Sequence, residues 1–121
     1  MQRSYQHLDY REQDGVFCVR IRNHRLQESG LDELSAELAR LIDEGNCRKL
    51  VLSLGPDDFD CLYSVFLAKL VNLKRRLEEV GGRMALAETS PNTIDVIRAA
   101  GLEKYFQFYP DPASAMQSLL V

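Results

Sequence analysis

Lys49-Leu50-Val51-Leu52-Ser53-Leu54 is a short, nearly continuous apolar run. A strand that alternates apolar and polar residues has one face in water; a run without alternation fits a central strand covered on both faces. Its exit, Gly55-Pro56-Asp57-Asp58-Phe59-Asp60, is turn chemistry and cannot continue a regular element. Beyond it Phe66, Leu70, Leu73, Leu77 and Val80 recur at helical spacing, with Lys69, Asn72, Arg76 and Glu79 on the other side, and Gly81-Gly82 stops the helix. Arg83-Met84-Ala85-Leu86-Ala87-Glu88 then reads as the next strand. Strand, long helix, strand is the unit of a parallel crossover.

Working outward, the residues from Tyr5 to Tyr10 are strand-compatible, Glu12-Gln13-Asp14-Gly15 supplies a turn, and Val16-Phe17-Cys18-Val19-Arg20-Ile21 reads as a second strand. Asp-Gly between two such runs predicts an antiparallel hairpin. Ser29-Gly30-Leu31-Asp32 has the spacing of a capping box; Leu31, Leu34, Leu38, Leu41 and Ile42 then mark an amphipathic helix that Gly45 ends. Toward the C-terminus, Ser90-Pro91 opens a helix with Ile94, Ile97 and Ala100 facing inward and Gly101 closing it. Tyr105-Phe106-Gln107-Phe108-Tyr109 alternates as a strand, and Asp111-Pro112 caps a last helix carrying Met116, Leu119 and Leu120. The order β-β-α-β-α-β-α-β-α predicts an α/β fold. Its sheet should be mixed but mostly parallel, of about five strands, opened by a β-hairpin and accompanied by about four helices. One domain over residues 1–121 is expected, with functional loops at the C-terminal ends of the strands. The loop from Gly55 to Tyr63 is the longest of these.

Fifteen Lys and Arg against 18 Asp and Glu give a net charge of -3 and a pI near 5.4, which argues against nucleic acid as a partner. No apolar run reaches the length of a membrane span and Met1 to His7 lacks a signal-peptide core, so the cytoplasm is the expected location, without direct membrane insertion. Cys18, Cys47 and Cys61 are odd in number and far apart, which predicts reduced thiols, at least one buried in a strand. His7 and His24 are too few for a histidine-rich metal centre.

The segment Leu77 to Ala87 with its Gly81-Gly82, then Ser90-Pro91, then Val96-Ile97-Arg98-Ala99-Ala100-Gly101-Leu102-Glu103-Lys104-Tyr105-Phe106, resembles the STAS domain. That family is named for sulfate transporters and anti-sigma-factor antagonists. The resemblance implies a non-enzymatic switch: a stand-alone protein that docks an anti-sigma factor with serine kinase activity in a bacterial-type signalling pathway and so regulates transcription. It places a phosphorylated Ser or Thr at the start of the helix after the third strand. A phosphate there adds close to two negative charges to a docking surface, and a helix N-terminus can hold them. The family pattern at that place is Asp, two Ser or Thr, and Gly. This chain reads Asp60-Cys61-Leu62-Tyr63-Ser64-Val65-Phe66 instead, so its motif is degenerate.

Ser64 is the one hydroxyl besides Tyr63 between Ser53 and Thr89 and is therefore the candidate phosphoacceptor; the competing reading is that it packs or caps the first helical turn. The candidate partner-binding residues are Asp58, Asp60, Tyr63, Ser64, Lys69 and Asn72. Asp57, Asp58 and Asp60 resemble the acidic site of a phosphoryl-accepting receiver domain. Turn and N-cap roles account for all three, so no metal and no cofactor is expected. Cys61 sits beside a helix start, but no base is near it in sequence, so it is not expected to be a nucleophile and the chain is not expected to be an enzyme. Arg20, Arg22, His24 and Arg25, and again Lys74-Arg75-Arg76, read as solvated basic faces. Two other functions fit the residues: a phosphorylation-independent STAS subunit of a transporter ATPase or signalling assembly, and a receiver-like domain.

Overall fold

A computed structural model describes residues 5–120. Met1 to Ser4 and Val121, which belong to the expected 1–121 domain and to the segment read for a signal peptide, lie outside the described residues.

The hairpin pairs β1 (Leu8–Gln13) with β2 (Val16–Ile21). It starts later than the Tyr5 to Tyr10 expectation, and its turn is only Asp14-Gly15, with φ of 54° and 81°. Two positive φ values give the turn the twist of the strands it joins. Glu12 and Gln13 therefore stay in the ladder, opposite Phe17 and Val16. After α1 (Glu28–Asp43) come β3 (Lys49–Ser53), α2 (Tyr63–Glu79), β4 (Arg83–Ala87), α3 (Pro91–Ala99), β5 (Phe108–Tyr109) and α4 (Pro112–Leu120). The strands lie in the order β1-β2-β3-β4-β5, with every pair after the hairpin parallel.

Because each parallel connection moves one strand further in the same direction, right-handed crossovers put α1, α2 and α3 on one face. There Phe17, Val19, Ile21, Leu50, Leu52, Met84 and Leu86 meet Leu31, Leu34, Leu38, Leu41, Phe66, Leu70, Leu73, Leu77 and Ile97 in one core. On the other face α4 lies alone over Val16, Val51, Ala85 and Ala87, bringing Ala115 and Leu119. Large residues thus point one way and small ones the other along the same strands, as the pleat dictates.

Several local expectations change. Helix α1 begins at Glu28 with Gln27 as an N-cap that makes no side-chain bond, so Ser29 and Gly30 lie inside the helix and no capping box forms. The cause is Leu26, buried and with its amide donating to the Asp60 carbonyl at 3.0 Å, which delivers the chain to helical geometry early. Val80 is the C-cap of α2 and 41% exposed, outside the buried stripe that Leu67 joins. In α3, Ile97 is buried and Ile94 half-buried, while Ala100 faces solvent and Thr93 is buried in its stead. The caps at Ser90 and Asp111 form as expected, accepting from the Thr93 and Ser114 amides at 3.2 and 2.7 Å. Strand β5 is two residues long, not five: Phe106 drops into the core and Tyr105 turns to lie under the Lys74 ammonium.

All three cysteines are free thiols. The strand thiol, Cys18, is only half-buried; the fully buried one, Cys47, sits just before β3, contrary to the expectation of a buried strand cysteine. Burial pushes the Cys47 thiol up to about 12. A thiol whose folded value exceeds its unfolded one holds its proton in the native state while the unfolded chain loses it, so stability falls as pH rises above about 9. Wild type should lose stability faster than Cys47→Ala above pH 9, the difference in slope approaching roughly 1.4 kcal/mol per pH unit between about pH 10 and 11, read by urea denaturation between pH 8 and 11. Equal alkaline slopes in the two proteins refute the assignment.

Candidate functional site

The loop after β3 is anchored before it reaches α2. Leu54 donates its amide to the Ala87 carbonyl at 3.0 Å, and Gly55 presses so close to the Glu88 carbonyl oxygen that a Cβ would overlap it. Asp60 then forms a parallel bridge with Arg25: its amide donates to the His24 carbonyl at 2.6 Å and its carbonyl accepts from Leu26. Between these anchors His24 Nε2 lies 3.2 Å from the Leu54 carbonyl oxygen, and its ring stacks on Phe59 at 4.5 Å. Phe59 packs on Phe66 at 4.7 Å. An aromatic row therefore ties the loop after β2 to the loop after β3 and to the first turn of α2.

Helix α2 starts without a side-chain cap: Leu62 occupies the N-cap, and no acidic residue lies in the first turn. The positive end of the helix is left without a local counter-charge from its own turn. Tyr63, its first residue, is half-buried, edge-on to Phe66 and with its hydroxyl 3.1 Å from Thr93 Oγ1, which is itself 3.0 Å from Ser90 Oγ. Ser64, the second residue, is exposed and does not cap the turn.

From Ser64 the exposed side of α2 forms one wall of an open, largely apolar groove of ≈ 390 Å³. Leu67, Ala68, Val71 and Asn72 continue that wall, with Ala100 and Leu102 opposite. The structure thus brings Ser64 and Asn72 together. Lys69 points elsewhere, pairing with Asp32 of α1 at 2.6 Å. Asp57 and Asp58 are exposed in the loop, and Asp60 turns its carboxylate to Arg25 at 3.4 Å, both side chains in solvent. No three or more His, Cys, Asp or Glu side chains among the described residues are grouped to hold a metal ion. Burial, and then the Asp60 charge, push the Cys61 thiol up, the wrong direction for a nucleophile.

The basic faces dissolve into separate pairs. Arg22 forks Asp9 at 2.9 and 2.6 Å, Arg20 lies 3.7 Å from Glu88, and Arg76 bonds Asp43 at 2.7 Å. Sequence reasoning missed the groove residues Leu67, Ala68, Val71, Ala100 and Leu102, and it missed Leu62, which is 60% exposed. Leu62 stands four residues before Phe66, on the apolar stripe by spacing, so the sequence gives no signal for its exposure, which follows from its extended N-cap backbone.

The STAS domain family model matches residues 7–115. A search of curated protein sequences returned no match. Among solved structures, an anti-sigma-factor antagonist (STAS) domain protein from Planctomyces limnophilus superposes with a TM-score of 0.80 at 18% identity, over 94% of this chain and 98% of that one. The anti-sigma factor antagonist SpoIIAA in its unphosphorylated form gives 0.73 at 16%, over 94% and 97%. The Bacillus cell fate determinant SpoIIAA in the phosphorylated form gives 0.67 at 16%, over 92% and 98%. At these identities the likeness is one of fold, and the five-stranded mixed sheet with its four helices is the fold they share. No helix among the described residues is long and apolar enough to cross a membrane. With the family match running from the start of the hairpin into the last helix, the chain belongs to the STAS family.

Proposed function

We propose that the chain is a non-enzymatic, cytoplasmic protein-binding regulator, an anti-sigma-factor antagonist that docks an anti-sigma factor with serine kinase activity through the head of α2. Residues 1–121 act as one binding domain, and Asp58, Asp60, Tyr63, Ser64, Lys69 and Asn72 surround or support the surface. The observation that carries this reading is the exposed Ser64 hydroxyl on the second residue of an uncapped helix, at the rim of the apolar groove. A partner that buries the groove desolvates that rim, and a phosphate on Ser64 adds charge where desolvation costs most. The SpoIIAA structures, solved with and without phosphate, are of an antagonist with this fold and support the same reading.

A second reading, binding without phosphorylation, is favoured by Leu62: an exposed leucine stands at the N-cap where a hydroxyl or carboxylate would ordinarily sit. One experiment separates the two. The chain is incubated with host lysate and ATP, recovered with its bound protein, and its modified residues are mapped by mass spectrometry for wild type, Ser64→Ala and Ala68→Arg. Phosphate on Ser64, absent in Ser64→Ala, with the partner lost in Ala68→Arg, is the expected result. A bound ATPase without kinase activity, and no modified residue, defeats the antagonist reading and leaves the phosphorylation-independent one.

A further inference from the structure

Helix α4 packs on Val16, Val51, Ala85 and Ala87 and leaves the hairpin end of its face of the sheet open. There a cavity of ≈ 270 Å³ is lined by Asp9, Arg11, Cys18, Arg20, Ser53 and Pro112, among others. The register accounts for the set. Asp9, Arg20, Ser53 and Ala87 sit opposite one another across four strands, and Arg11 sits opposite Cys18 one pleat away, so all of these side chains share the α4 face.

Ser53 is the anomaly of that floor. It is only 5% exposed, and its hydroxyl forms no hydrogen bond among the described residues. A nearly buried hydroxyl in that state destabilises the chain until a partner from outside reaches it. The groups still free around it are donors. Arg11 forms no ion pair among the described residues, and Arg20 meets Glu88 only at 3.7 Å, too long for a hydrogen bond. The Asp9 carboxylate is already forked by Arg22 at 2.9 and 2.6 Å. Burial pushes the Cys18 thiol up, so it adds no negative charge. Arg11, Arg20 and Arg22 against Asp9 and Glu88 thus leave one positive charge here, in a chain of net charge -3. Diagonal cross-strand neighbours such as Arg11 and Arg20 stand about 7–8 Å apart, close enough for both guanidiniums to reach one anion.

We propose that this cavity binds a small organic carboxylate. Arg11 and Arg20 hold its two oxygens, the Ser53 hydroxyl donates to one of them, and its apolar body lies along Cys18 and Pro112. One spare positive charge suits a monoanion better than a phosphate, and a volume just under about 300 Å³ suits a molecule smaller than drug size. The cavity lies on the opposite face of the sheet from the groove beside Ser64, so the two do not compete for surface.

The test is an NMR titration of the ¹⁵N-labelled chain with hexanoate, with hexanamide and with inorganic phosphate. Hexanoate should shift the Arg11, Cys18 and Ser53 amides to saturation at millimolar concentration, hexanamide should leave them in place, and phosphate should bind more weakly. Arg11→Gln and Arg20→Gln should each weaken hexanoate about tenfold, and Ser53→Ala about threefold without lowering Tm, because its hydroxyl has no internal partner to lose. Ala68→Arg should change nothing at this site. Absence of any shift at low-millimolar hexanoate, equal shifts from hexanamide, tighter binding of phosphate, or undiminished affinity in the arginine variants each overturn the proposal.

Discussion

Gly55→Ala is expected to lower stability by about 3 kcal/mol, a loss of roughly 10 °C in Tm for a chain of this size. At Gly55 the backbone runs so close to the Glu88 carbonyl that an added methyl has no space, and the obstacle is main chain, which cannot rotate away. Relief requires the ends of β3 and β4 to part, which strains the bond from the Leu54 amide to the Ala87 carbonyl and the His24 contact with the Leu54 carbonyl. Glu88 adds to the difficulty, since it already holds a φ of 57°, an uncommon setting for a residue with a side chain. The same substitution at Gly30, inside α1 and next to a flexible leucine side chain, should be neutral or stabilising by up to about 1 kcal/mol. Thermal melts of the two variants side by side decide the matter; a Gly55→Ala protein that melts within about two degrees of wild type shows that the close approach does not constrain the loop.

Leu86→Ala should cost about 3 kcal/mol as well, for the opposite reason. Leu86 is fully buried in the second half of β4 under the three-helix face, and its removal leaves a hole bounded by a dense core. Its neighbour Ala85 points to the other face, where a single helix lies over small residues. There the harmful change is enlargement: Ala85→Leu should cost about 2 kcal/mol by lifting α4. Urea denaturation of both variants, with the amide exchange of α4 followed separately, tests the pair. If Ala85→Leu is stable and α4 stays protected, the thin face is looser than described.

The order of elements was legible because each depends on local signals: apolar spacing, Asp-Gly, Gly-Gly, Ser-Pro and Asp-Pro. What was not legible depended on residues brought together from far apart. Nothing near Ser29 reveals that Leu26 is pinned by Asp60, so the capping spacing was persuasive and the helix nevertheless starts at Glu28. The alternation from Tyr105 to Tyr109 looks like a strand, but Phe106 gains more by entering the core than by pairing, and β5 shrinks. At the site, helical spacing puts Lys69 and Asn72 on one side of α2, and Ser64 stands out as the hydroxyl at its start. That spacing cannot show that Lys69 finds Asp32, that Tyr63 reaches Thr93 across 30 residues, or that Ala100 and Leu102 close a groove.

The hydroxyl chain from Tyr63 through Thr93 to Ser90 joins the first turns of α2 and α3. Its consequence is kinetic as much as structural. A surface whose two walls are already bolted together asks a partner to freeze little on arrival, so encounters convert to complexes with a small ordering cost and selectivity resides in how long each complex survives.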